Sequence, residues 1–223
     1  VAKVTSEETT IRKQTVADVL PNSMGGSDVL VMGPTLSDKD EIAFEILADS
    51  WVAGREPFVI TATDTDAQFR ERFESFVPDG HRADERYVID CTEQTPSSQS
   101  SCSVNSPVDL TGIAVCLSKG YDQYGGGGRR VLLDTISTLL IYSNMERVYR
   151  FISKLNSRAS ELGDSTVQLL DSDAIDSEDR NTLFQLFPIV VEVRDESDTT
   201  LFRVRGDTET GWYEFQRQQG DSQ

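Results

Sequence analysis

Short apolar runs alternate along this chain with segments whose apolar residues recur every three or four positions, and few folds accept that rhythm. Val29 to Met32, Phe58 to Ala62, Tyr87 to Asp90, Val131 to Asp134 and Val167 to Leu170 are each too short for a helix and apolar on both faces. Such runs read as buried strands. Helical periods follow them: Ile42, Ile46, Leu47 and Trp51 within Asp38 to Ala53, and Phe69, Phe73 and Phe76 within Asp66 to Phe76. The clearest helix is Met145 to Leu162, where Val148, Phe151 or Ile152, Leu155, Ala159 and Leu162 step by three and four. Glu178 to Phe187 predicts one more helix. Ile189 to Arg194 and Leu201 to Arg205, joined by Asp195-Glu196-Ser197-Asp198, predict an antiparallel hairpin. The expected fold is α/β: a mostly parallel twisted sheet with helices on both faces, and a C-terminal antiparallel hairpin.

At 223 residues the chain suits one such domain. The expected division is a polar N-terminal segment over 1–25, the domain over 26–215, and a polar tail over 216–223. A Ser/Gln-rich stretch at 93–107 reads as a mobile surface loop. The segment Leu110 to Leu117 reads as a short ordered piece.

Charge narrows the function classes. Lys and Arg total 21 against 38 Asp and Glu, for a net charge of -17, and only five of the basic residues are lysine. Phosphate neutralisation needs a basic patch, so no nucleic-acid partner is expected. The balance fits a salt-adapted cytoplasmic protein, in which concentrated salt screens self-repulsion. Three cysteines, Cys91, Cys102 and Cys116, lack metal-ligand spacing. Neither structural zinc nor a disulfide framework is expected, and a reduced cytosol fits. No run of apolar residues is long enough to cross a membrane, and no signal pattern opens the chain.

In an open parallel sheet, ligands gather at the carboxyl ends of the strands. The first strand-to-helix turn is Gly33-Pro34-Thr35-Leu36-Ser37-Asp38-Lys39-Asp40, with Ser37 a candidate N-cap. Gly33 and Lys39 stand at the spacing of a phosphate loop. Asp38 replaces its second glycine, and Asp40 replaces the hydroxyl residue that holds magnesium. Two readings fit these acids. They can mark a loop that no longer takes a polyphosphate, or simply the acidic first turn that any helix favours. Val131-Leu132-Leu133-Asp134 has the form of a Walker B strand, whose terminal Asp orients the water on a metal. Gly125 to Gly128 precedes a strand and reads as a connector, and His81 has no second ligand candidate. No nucleophile–histidine pair is evident.

Together these parts resemble KaiC and its RecA-like relatives: a Gly25-Gly26 lead-in, the Val29 to Met32 strand, the Gly33 turn, a helix and a second strand. The resemblance implies a RecA/KaiC-like three-layer core. It also places residues. Where that family carries a Glu-Glu pair after its second strand, this chain has Thr63 and Asp64, so Asp64 is the candidate for positioning water. Asp134 is the candidate metal ligand, and Gly33 and Lys39 are candidates for nucleotide phosphates. Phe202-Arg203-Val204-Arg205-Gly206 resembles the Lys-x-Arg-Gly segment lent to a neighbouring subunit's ATP, which nominates Arg203 and Arg205. Exposed strand arginines balancing an acidic surface fit that pair equally. The chain is also similar to haloarchaeal RecA-superfamily proteins of unassigned role.

The departures at Asp38, Asp40 and Thr63 fall on the catalytic positions, so no catalytic residue is assigned. The expectation is a degenerate, non-catalytic domain acting as a regulator or adaptor through a protein partner or self-association, with no cofactor. The alternative is a weak ATPase or nucleotide sensor using ATP and Mg and assembling as a homo-oligomer.

Overall fold

A computed structural model describes residues 11–20, 26–77, 79–81, 86–92, 102–124, 128–196 and 199–217. In chain order the elements are β1 (Lys13–Gln14), α1 (Val16–Val19), β2 (Val29–Gly33), α2 (Lys39–Val52), β3 (Glu56–Thr61), α3 (Asp66–Phe73), β4 (Tyr87–Asp90) and β5 (Cys102–Ser103). Then come α4 (Leu110–Tyr124), β6 (Arg129–Asp134), α5 (Ile136–Tyr142), α6 (Met145–Glu161), β7 (Ser165–Asp171), α7 (Ser177–Phe184), β8 (Ile189–Glu196), β9 (Thr199–Arg205) and β10 (Tyr213–Phe215).

The strands form a single sheet in the order β1-β10-β9-β8-β2-β7-β6-β3-β4-β5. From β8 to β5 every neighbouring pair is parallel, while β9 runs antiparallel to both β8 and β10. The fold is α/β as its rhythm predicts, with the hairpin at β8 and β9. Because β2 lies between β7 and β8, the chain leaving β2 crosses over two later strands to reach β3. Gly33, Asp171, Asp134 and Thr61 terminate their strands at the carboxyl end of the sheet, the end at which open parallel sheets bind ligands.

Alternation along each strand feeds two cores. Val29, Val31, Leu132, Val167 and Leu169 face α2 and α3, where Phe44, Trp51, Phe69 and Phe73 are buried. Leu30, Met32, Val131, Leu133 and Leu170 face α4, α5, α6 and α7. Rings of Phe69, Phe73 and Phe76 meet Phe44 edge-on at 5.4 to 5.6 Å, so the predicted aromatic face of α3 anchors it to α2. Gly120 brings α4 against the sheet: a Cβ there would stand 2.6 Å from the Tyr87 ring.

Several local expectations need correction. Cys102 and Cys116 form a disulfide joining β5 to α4, with Cα atoms 5.8 Å apart. The pairing arises because β5 adds to the outer edge of β4, which places Cys102 beside α4, and spacing in sequence carries no sign of this. Cys91 is a free, buried thiol. Leu110 to Leu117 is the front of a 15-residue helix, and Ile136–Tyr142 is a helix of its own. Ser37 does not cap α2: Asp38 holds that position, and the Ser37 hydroxyl donates to the Pro34 carbonyl at 2.8 Å. Within the segment expected to be a polar lead, β1 pairs with β10 and Val16 is fully buried in the core. In the Ser/Gln-rich stretch, residues 102–107 are ordered as β5 and the turn after it, whereas 93–101 lie outside the described residues. So do 1–10, Gly25, Gly125 to Gly127, the Ser197-Asp198 turn and the tail from 218. No helix among the described residues is long and apolar enough to cross a membrane.

Candidate functional site

The register of the sheet sets the site. Gly33 lies opposite Asp171 across β2 and β7, and Thr61 lies opposite Asp134 across β3 and β6. The turn after β2 then carries the chain into α2, whose first residue is Lys39. Gly33 is required by its own neighbours: a Cβ there would meet Ser37 Oγ at 2.8 Å and Val193 Cβ at 2.9 Å. Leu36 adopts a left-handed backbone with φ of 67° and is 96% exposed, so the turn projects an apolar side chain into solvent.

Lys39 is only 5% exposed. Its ammonium donates to the Pro34 carbonyl at 3.1 Å and pairs with Asp171 Oδ1 at 2.9 Å. Asp40 Oδ1 stands 3.9 Å away on its other side. The Arg72 guanidinium, from α3, donates to Asp40 Oδ2 at 2.8 Å and also to Asp64. A chain of alternating charge therefore runs Asp171–Lys39–Asp40–Arg72–Asp64 across the ends of β7, β2 and β3. Burial works against the Arg72 charge, but its hydrogen bonds to Asp64 and Asp40 outweigh that and hold it above its ordinary value.

Asp134 sits beside this chain at 4% exposure and accepts from the Thr63 hydroxyl at 2.8 Å. Desolvation pushes its carboxyl up to about 7, opposed by the Thr63 hydrogen bond and reinforced by the charges of Asp40 and Asp64. The next residue, Thr135, fixes the strand end by donating to the Leu169 carbonyl at 2.7 Å.

The turn is tied down on both flanks. Asp173 accepts from the Thr35 amide and hydroxyl, each at 3.1 Å, and backbone amides hold it below the usual carboxylate value. Asp38 accepts from the Thr200 hydroxyl of β9 at 2.6 Å. Six carboxylates (Asp38, Asp40, Asp64, Asp134, Asp171 and Asp173) thus surround the turn, against two cations, Lys39 and Arg72. Among the described residues, no three His, Cys, Asp or Glu side chains are grouped to hold a metal ion.

The structure gathers four of the sequence-predicted site residues, Gly33, Lys39, Asp64 and Asp134, at one end of the sheet. Arg203 and Arg205 lie elsewhere, two strands away on β9. Arg203 bonds Glu192 and Glu209, and Arg205 pairs with Glu192 Oε1 at 3.0 Å and Glu209 Oε2 at 3.6 Å. The Trp212 ring lies 4.7 Å from the Arg203 guanidinium carbon. Sequence reasoning missed Asp171, Asp173 and Arg72. Asp171 carried a usable signal, since it ends an apolar strand as Asp134 does. Arg72 carried none, because its role depends on how α3 leans on α2.

Fit to a Mg–triphosphate can be judged from these contacts. Both cations are already paired, and a phosphate about 5 Å from one more carboxylate meets roughly 3 kcal/mol of repulsion at an effective dielectric near 20. The residues present do not fit that group.

A family model described as a family of unknown function (DUF7504) matches residues 26–193. No curated protein matches the sequence. Matching solved chains number 445, so the architecture is widespread and does not by itself indicate an activity. One is the crystal structure of a KaiC-like protein from the hyperthermophilic archaeon Pyrococcus horikoshii OT3. It is 16% identical, with a TM-score of 0.62, and the match covers 86% of each chain. The fold here is RecA/KaiC-like.

Proposed function

The chain belongs to the DUF7504 family of unknown function, and we propose that it is a non-catalytic RecA/KaiC-like domain acting as a regulator or adaptor through protein contacts in a salt-adapted cytoplasm. Its Walker A turn is degenerate, with Asp38 and Asp40 in place of glycine and a hydroxyl residue. The observation that carries this reading is the state of Lys39. A lysine that serves phosphate must offer its ammonium to the ligand, but this one is buried between the Pro34 carbonyl and Asp171. It works as a pin that closes the turn. Gly33 supports the same reading, since its missing Cβ makes room for Ser37 and Val193.

The test is turnover of ATP with magnesium in molar KCl. The proposal expects no rate above background; hydrolysis abolished by Lys39→Ala would overturn it.

A second reading, a weak nucleotide binder or sensor, draws on the convergence of Lys39, Asp64 and Asp134 at one end of the sheet. In it the Lys39–Asp171 pair opens to admit phosphate, and Arg203 and Arg205 leave Glu192 and Glu209 to reach a neighbouring subunit's nucleotide. Labelled ATP in equilibrium dialysis separates the two, because only this reading expects saturable binding.

A further inference from the structure

Four basic side chains gather on one face of this acidic chain. Between α4 and α6 lies an open cavity of about 610 Å³, walled on one side by Arg147, Arg150, Lys154 and Arg158. These stand at i, i+3, i+7 and i+11, so they form one row about 16 Å long on a helix rising 1.5 Å per residue. Arg150 pairs with Glu146 and Arg158 with Glu161, but among the described residues Arg147 and Lys154 have no carboxylate partner. The facing wall, from α4, carries the small residues Thr111, Ala114 and Ser118, again at i, i+3 and i+7, between Leu110 and Tyr121. Leu117, Phe151 and Leu155 form an apolar floor.

We propose that this groove docks an acidic amphipathic helix from a partner protein. This names a partner class for the adaptor reading and rests on it to that extent. The small residues of α4 leave room for a third helix to approach, the floor takes its apolar side, and the basic row takes its carboxylates. The two cations without a carboxylate partner, Arg147 and Lys154, are about 10 Å apart along the helix, farther than one small anion spans. A nucleic acid would take the basic row but leave the apolar floor of Leu117, Phe151 and Leu155 unfilled. A second copy of this chain docked through the same face would set one basic row against another.

The probe is a dye-labelled 15-residue helical peptide with leucines on one face and glutamates beside them, titrated by fluorescence anisotropy against the full chain. The expected result is saturable micromolar binding, weakened about tenfold or more by Arg147→Glu with Lys154→Glu, and abolished by Ala114→Trp. Unchanged thermal unfolding of these variants shows that they fold. Three results would overturn the proposal: no saturation at millimolar peptide, equal affinity in the charge-reversed protein, or tighter binding of a 20-nucleotide single-stranded DNA lost on the same reversal. A dimer in sedimentation that disappears on reversal, without peptide binding, would overturn it too. ATP dialysis on the same preparation reads the adaptor proposal separately, so either idea can fail alone.

Discussion

Replacing Asp134 with asparagine is expected to stabilise this protein at pH 8, by an amount that falls as the pH is lowered. Asp134 is buried at the end of β6, and burial raises its carboxyl from an ordinary value of 3.8 to about 7. The folded state therefore holds a proton that the unfolded state releases between these values. Stability falls as pH rises through that window and levels off above about 7, because there the folded protein must keep an ionised carboxylate out of water. A difference of roughly 3 pKa units is at most about 4 kcal/mol at 1.36 kcal/mol per unit. Asparagine removes that cost while its carbonyl still accepts from Thr63, but its amide group needs an acceptor of its own, which gives back about 1–3 kcal/mol. The expected net gain is about 2 kcal/mol at pH 8, or about 4–8 °C in Tm for a domain of this size. Near pH 4 wild-type Asp134 is protonated when folded, so the gain disappears and the amide's cost of about 1–3 kcal/mol remains, making the variant the less stable protein. Thermal unfolding followed by circular dichroism from pH 4 to 8.5 reads both numbers. A destabilised Asp134→Asn at pH 8, or a gain unchanged with pH, would refute the reasoning.

Other consequences follow from the same contacts. Lys39→Met leaves the Asp171 carboxylate, 20% exposed, without its cation, and should cost about 2 kcal/mol in denaturant unfolding, since a partly buried ion pair loses one partner. Reducing the Cys102–Cys116 bond frees a loop of about 15 residues and should lower stability by about 3 kcal/mol on a chain-entropy argument; thermal melts with and without reductant measure it. Before reduction Cys91 should resist iodoacetamide in mass spectra, because burial pushes its thiol up to about 12. The double variant Asp38→Gly with Asp40→Thr restores the phosphate-loop pattern around Lys39, and calorimetry is expected to detect ATP binding in it and none in the wild-type protein.

Sheet and helices were legible because burial on both faces leaves continuous apolar runs, and because Val148, Ile152, Leu155 and Ala159 repeat at the helical period. The edges were not. β1, β5 and β10 are two or three residues long and owe their conformation to a neighbouring strand, so their own side chains give no signal. The disulfide shares this origin. At the site, Gly33, Lys39 and Asp134 stand out as candidates through local spacing and a strand end, and Asp64 only through the family resemblance. What Lys39 does was not legible, because Asp171 is 132 positions away in sequence and meets it only through the β2–β7 register. The basic row on α6 has a local i, i+3, i+7, i+11 spacing, but in a chain of net charge -17 only the packing of α4 against α6 shows that it lines a groove.

Occupation of the turn by the protein's own groups is what the functional account depends on, and equilibrium dialysis of the full chain against labelled ATP and magnesium in molar KCl reads it most directly. No retention at millimolar nucleotide is the predicted result. Stoichiometric retention that vanishes in Lys39→Ala would show that the ammonium leaves Asp171 for phosphate, and would contradict the account.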